Sequence, residues 1–280
     1  MAGDAIRKST NVAVGDAVSA ARYPRTLGQG APDDWDRLWT DYGSARAANP
    51  SSAFRTRLIE ADLAATGLGP HSRLLDIGCG IGLTLMDLAS RFPGTALAGV
   101  DASAIAIAAG QARLADAHLL VCDLQGNAEE LAPLSGWATH AICSEVLEHV
   151  DAPGTLLRHA RSAIAPGGVL LVTVPAGPRT AYDRHIGHRR HYSRQDLREL
   201  LKEAGFEVER VRASGWPFFN LYKLLITLRG RRLIDDLRGK PSTLARAGIT
   251  LFRHLFRLQP AWSHGGWQLV AIARRPLAAG

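Results

Sequence analysis

The chain has 280 residues, enough for one large α/β domain or a domain with a modest extension. Hydrophobic residues make up 46% and charged residues 21%, which excludes the disordered and fibrous classes. The net charge is +7, and no run approaches the roughly 20 apolar residues needed to cross a bilayer.

Residues 1–30 are small, polar and glycine-containing, and read as a flexible N-terminal segment. They lack the charged-then-apolar layout of a secretory leader, so a cytoplasmic protein is expected. From position 33 onward Trp35, Leu38 and Trp39 recur at helical spacing, and Phe54, Leu58, Ile59, Leu63 and Leu68 do the same. Two N-terminal helices are expected there. Short apolar runs at 72–77, 96–100, 118–122, 139–143 and 168–174 then alternate with helical stretches at 83–91, 102–114 and 152–164. Strands buried on both faces and separated by helices argue for a parallel sheet with crossover connections.

Ser193 opens a further helix with one apolar face (Leu197, Leu200, Leu201, Ala204), and 206–211 and 267–273 read as late strands. The stretch 216–264 is apolar and helical in pattern, broken at Gly239-Lys240-Pro241. The organisation expected is therefore a domain formed by 31–215 and 265–280, with 216–264 inserted before the last strand. The three cysteines, Cys79, Cys122 and Cys143, sit in or beside apolar runs and read as small buried thiols.

Between the first strand and its helix lies the run 74–82, Leu-Leu-Asp-Ile-Gly-Cys-Gly-Ile-Gly. Glycines at such a turn let backbone N–H groups approach a ligand. A dinucleotide loop would place its third glycine at position 83, which is Leu83. Asp76 stands two residues before Gly78, where a carboxylate suits a ligand bearing an ammonium group. Asp101 ends the second strand, where an acid binds ribose hydroxyls, and Asp123 ends the third, beside Leu124, where an adenine fits. Taken singly, each aspartate also fits plain turn chemistry.

These motifs, with Cys143-Ser-Glu-Val-Leu-Glu-His149 and Pro166-Gly-Gly-Val-Leu-Leu-Val-Thr-Val-Pro175, resemble the ordered motifs of class I S-adenosylmethionine-dependent methyltransferases. The resemblance implies a Rossmann-like sheet of seven strands, mostly parallel with an antiparallel last strand. It also implies a cofactor site at Asp76, Gly78, Gly80, Gly82, Asp101, Asp123 and Leu124. Methyl transfer depends mainly on alignment, with a base where the nucleophile starts protonated. If a helix begins after the fourth strand, Glu145, Glu148 and His149 share one face. His185, His188 and His191 follow in a basic stretch that reads equally as a solvated lid loop. The Glu-x-x-Glu-His element is similar to that of ubiquinone-pathway O-methyltransferases and of small-RNA 2′-O-methyltransferases. That likeness implies a divalent metal such as Mg²⁺ on Glu145, Glu148, His149 and His188; without a metal, His149 or His188 is the general base.

The charge is unevenly placed. Positions 221–280 hold eleven Lys and Arg against two acids, a local charge of +9 that leaves the first 220 residues at −2. Apolar faces bordered by arginine fit a cap over the active site, a lipid-like substrate, or the inner face of an anionic membrane. Two functions follow: an enzyme methylating a small or lipid-linked hydroxylated metabolite at oxygen, or an RNA-directed 2′-O-methyltransferase or nucleic-acid-binding relative. The tail's aromatics lie in apolar helices rather than on a stacking platform, which disfavours nucleic acid.

Overall fold

The computed structural model describes residues 35, 36, 39, 49–126, 128–229 and 243–277. The flexible segment expected at 1–30 and the break at Gly239–Pro241 lie outside the described residues. Seven strands form one sheet: β1 (Arg73–Ile77), β2 (Ala96–Asp101), β3 (His118–Val121), β4 (Ala138–Ser144), β5 (Ile164–Pro175), β6 (Glu207–Ser214) and β7 (Gln268–Arg274). Their order across the sheet is β3-β2-β1-β4-β5-β7-β6. The pairs from β3 to β5 are parallel, and β7 runs antiparallel to both neighbours. The seven-stranded sheet with one antiparallel strand is the architecture expected from the sequence.

Helices cover both faces. In chain order they are α1 (Pro50–Ala65), α2 (Leu83–Arg91), α3 (Ala104–Gln111), α4 (Pro153–Ala163), α5 (Ala181–His185), α6 (Arg194–Glu203), α7 (Phe218–Arg229) and α8 (Thr243–Arg257). The period of two along each strand explains the two layers. Leu75, Ala141 and Leu170 enter a core with Leu157 of α4 and Leu197 and Leu201 of α6. Their neighbours Leu74, Ile142 and Leu171 point the other way, to Phe54 and Leu58 of α1, Leu88 of α2, and Phe219 and Phe256 of α7 and α8. A leucine buried in this way contributes about 1.5–3 kcal/mol, so both layers are needed to hold the sheet.

Local signals set the helix starts. Asn49 caps α1 through its side chain and Ser103 caps α3; Ser193 and Asp196 form a reciprocal capping box on α6. Two expectations change. Strand β5 begins at Ile164 rather than 168, because Ile164 already pairs with Ala138 and the Pro-Gly-Gly run is absorbed as an irregularity in the ladder. Residues 145–150 form no helix: Glu145 takes a left-handed conformation (φ 57°), and α4 starts only at Pro153.

The chain runs from β1 outward to β3 and then crosses back to β4 on the other side of β1. At this switch point the connections leave in opposite directions and open a crevice above the carboxyl ends of the strands.

Candidate functional site

The crevice is lined by Gly78, Asp101, Asp123, Leu124 and His149, together with Trp35 and Trp39. Its floor is the glycine loop. Gly78 and Gly80 have φ of 74° and 53°, a region that disfavours side chains. A Cβ at Gly78 would stand 2.4 Å from Val146 Cγ2, so only glycine passes beneath that valine. The N–H groups of Gly78 and Cys79 both donate to the Val100 carbonyl, tying the loop to β2. Asp101 completes the clamp: its carboxylate accepts from Gly80 N at 2.8 Å and from Ser103 N at 2.9 Å.

Of the seven residues expected to hold the cofactor, four line the crevice: Gly78, Asp101, Asp123 and Leu124. Asp76 lies beneath it, 3% exposed, and burial reinforced by the charge of Asp101 raises its pKa to about 8. Gly82 is the left-handed residue that starts α2. Gly80 is covered by the indole of Trp39. Asp123 also accepts from Gln125 N at 2.9 Å, the turn chemistry that its residue type favours.

Trp35, Asp36 and Trp39 carried no site role in the sequence reading. Asp36 accepts from the Ser103 hydroxyl at 2.5 Å and from Ile105 N at 3.2 Å, so it caps α3 from outside. That anchor holds Trp35 edge-on to the His149 ring, with centroids 5.8 Å apart. The helical spacing of the tryptophans was visible, but the anchoring to α3 depends on a contact 67 residues away.

The second half of the site lies beyond β4. The structure separates Glu145 from the other expected ligands. Its carboxylate accepts from Gln268 Nε2 at 2.8 Å and Thr173 Oγ1 at 3.3 Å, and lies 3.7 Å from Arg55. Glu148, His149 and His188 do converge, with ligand atoms within 4.8 Å of one another and all three buried. The turn that places Glu148 and His149 is stitched to the histidine-rich loop. Arg189 N donates to the Glu148 carbonyl, Arg189 Nε to the His149 carbonyl, and Tyr192 Oη to the Leu147 carbonyl. These bonds bring the ring of His188 to 4.7 Å from that of His149, edge to face.

A second group shares His188. Asp183, fully buried, stands 3.9 Å from His188 Nδ1 and 3.8 Å from His191 Nε2, and Lys223 of α7 reaches its Oδ1 at 2.9 Å. Burial pushes the Asp183 carboxyl up, but the Lys223 charge and the Thr180 hydrogen bonds outweigh it and hold the group below its ordinary range. Burial lowers the pKa of His191, against the Gly177 carbonyl and Asp183. His191 is thus neutral at pH 7, and its bonds fix a tautomer. Nδ1 lies 3.0 Å from the Gly177 carbonyl oxygen, which only accepts, so Nδ1 carries the proton. His191 Nε2 then accepts from His188 Nδ1 at 3.1 Å, which leaves the lone pair of a neutral His188 on Nε2.

Two carboxylates on adjacent strand ends, a glycine loop and a neighbouring cluster of imidazoles define an α/β protein with a nucleotide-type crevice. The family described as "Methyltransferase domain" matches residues 45–211, more than half of the chain, and the chain belongs to it. It is 30% identical over 151 residues to trans-aconitate 2-methyltransferase of Paracidovorax citrulli, covering 54% of this chain and 52% of that one. It is 38% identical over 101 residues to ubiquinone biosynthesis O-methyltransferase of Azorhizobium caulinodans, covering 36% of this chain and 39% of that protein. The chain thus spans about half the length, or less, of these curated relatives. Haemonchus contortus phosphoethanolamine N-methyltransferase 2, solved with S-adenosyl-L-methionine, shares the fold. Its TM-score is 0.54 at 20% identity, covering 79% of this chain and 52% of that one. A putative methyltransferase complex from Haloferax volcanii aligns with a TM-score of 0.57 at 16% identity, over 88% of this chain and 99% of that one.

Proposed function

We propose that this protein uses S-adenosylmethionine to methylate a hydroxyl oxygen of a small or lipid-linked metabolite, with His188 as general base. The observation that carries the reading is the bonded chain from the Gly177 carbonyl through His191 to His188 Nδ1, beside the His149 ring that lines the crevice. A carboxylate or an unprotonated amine needs no base to attack a methyl group, whereas a hydroxyl must shed its proton as it reacts. A buried imidazole packed against His149, which lines the crevice, fits the second case. The name of the Azorhizobium relative, an O-methyltransferase, supports the same reading.

The cofactor fits the residues present. Gly78, Asp101 and Asp123 line the crevice, and the Asp76 carboxyl buried beneath the loop suits an ammonium group. When bound, S-adenosylmethionine supplies a methyl group whose bond to sulfur breaks as its bond to the acceptor oxygen forms. His188 Nε2 takes the hydroxyl proton, His191 holds the His188 ring in the required tautomer, and Asp183 balances the imidazolium that forms. Trp35 and Trp39 give the crevice an aromatic wall.

A second reading is favoured by the convergence of Glu148, His149 and His188. Two imidazoles and a carboxylate would hold a divalent cation, which would lower the pKa of an acceptor hydroxyl. Transfer of labelled methyl groups to a panel of alcohols, phenols, carboxylates and amines tests the proposal. Turnover confined to hydroxyl acceptors, lost by about a hundredfold in His188→Gln, is expected. Transfer to amines alone, or a fully active His188→Gln, rejects it. Activity that survives chelator treatment and ignores added Mg²⁺ or Mn²⁺ removes the cation.

A further inference from the structure

We infer that the outer face of α7 docks on an anionic phospholipid surface. The segment is mostly apolar, with Asn220, Lys223 and Thr227 its polar positions, and only the structure shows which of its apolar residues are covered. Phe219 (2% exposed), Tyr222 and Lys223 face inward. Tyr222 packs on Phe252 and Phe256 of α8 with ring centroids 5.1 and 5.6 Å apart, and Lys223 holds Asp183. The opposite side is a stripe of four leucines at i, i+3, i+4 and i+7: Leu221 (44% exposed), Leu224 (43%), Leu225 (42%) and Leu228 (73%). Trp216, 59% exposed, precedes it.

Isolated surface leucines are ordinary, but a continuous helical stripe of them is a contact site. Its surroundings name the occupant. Arg229, Arg231 and Arg232 follow the stripe directly in sequence. On α8, which packs against α7, Leu251 is exposed together with Arg253 and Arg257, and Leu258 just past its end is exposed too. Leucine and tryptophan flanked by arginine is the chemistry of a helix lying in a headgroup layer, apolar side down and guanidinium groups on phosphates. A second copy of the chain would set one +9 segment against another, and nucleic acid offers the leucines no partner. Among the described residues no helix is long and apolar enough to cross a membrane, so the contact is peripheral.

The position of α7 gives the contact a use. Its inner face holds Asp183, which faces His188 and His191, so docking would bring the acid–base centre to the membrane surface. This consequence rests on the proposed catalytic role of His188; the docking itself does not.

The test is co-sedimentation of the full chain with vesicles of phosphatidylglycerol and phosphatidylcholine, and of phosphatidylcholine alone. Binding to the anionic vesicles is expected, weakened by salt, and weakened roughly tenfold or more in the doubly substituted Leu224→Gln/Leu228→Gln protein. Neutralising Arg229, Arg231 and Arg232 with glutamine should weaken it as well. Leu224 and Leu228 lie outside the buried cores, and unchanged thermal unfolding confirms that the variants fold. Failure of the wild-type chain to bind anionic vesicles overturns the inference, as does leucine-independent binding. A dimer that the leucine substitutions dissolve would assign the stripe to a second copy instead, and would overturn it too.

Discussion

Replacing Asp76 with asparagine should make the ligand-free chain more stable. Asp76 sits on β1 under the glycine loop, and burial with the Asp101 charge nearby raises its pKa from 3.8 to about 8. In the unfolded chain the same group titrates near the ordinary value of about 3.9. Between those limits the folded chain keeps a proton that the unfolded chain has released, so stability falls as pH rises. The contribution is fully present below about pH 4 and is progressively lost until the folded carboxyl ionises near pH 8. At about 1.36 kcal/mol per pH unit, the accumulated loss is about 1.5 kcal/mol at pH 5 and about 4 kcal/mol at pH 7. Asparagine has nearly the same shape and no charge to lose, so the D76N advantage should follow that curve. Urea unfolding of both proteins at pH 4, 5, 6 and 7 measures it. An advantage independent of pH, or a D76N protein less stable than the wild type at pH 7, refutes the reasoning.

Other outcomes follow from the same geometry. Gly78→Ala combines a left-handed φ with a 2.4 Å approach to Val146, so it should cost about 2–4 kcal/mol in unfolding experiments; a loss below the measurement error would show that the loop yields. Lys223→Met leaves the buried Asp183 carboxylate without its cation and should destabilise the chain by about 3 kcal/mol at pH 7. Because the Asp183 pKa is depressed when folded, that deficit should shrink as pH falls through its folded pKa, and a deficit constant with pH would contradict the assignment. His191→Phe keeps the bulk beside His188 but removes its acceptor, so kcat should fall by about tenfold to a hundredfold with KM little changed. Equal losses in kcat and cofactor affinity would point to a structural role. Since Trp39 covers Gly80, cofactor binding should alter tryptophan fluorescence, and Trp39→Phe should remove most of the change.

The frame of the fold was legible because strands β1 to β5 are buried on both faces and read as unbroken apolar runs. Gly78, Asp101, Asp123 and Leu124 were legible for the same reason, since a strand end and a glycine turn fix where the crevice opens. The other half of the site was not. A helix after β4 is a fair reading of Ser-Glu-Val-Leu-Glu-His, yet Glu145 turns left-handed and the Leu147 carbonyl is taken by Tyr192, 45 residues on. His188 reaches His149 only because Arg189 bonds to two carbonyls of the β4 loop. Lys223 belongs to a stretch that read as apolar helix with basic residues around it, and nothing in it pointed to Asp183. Contacts of this range have no local signature. The stripe on α7 was hidden for a different reason: the polar positions Asn220 and Lys223 face inward and the leucines outward, an arrangement that only packing reveals.

The most direct test is a calorimetric titration of the purified chain with S-adenosylmethionine at pH 7, beside the Asp101→Ala variant. The crevice above β1, β2 and β3 should bind one molecule per chain. The variant should bind roughly tenfold to a hundredfold more weakly, the worth of hydrogen bonds to one carboxylate. No binding by the wild-type chain, or equal affinity in both proteins, would contradict the placement of the cofactor.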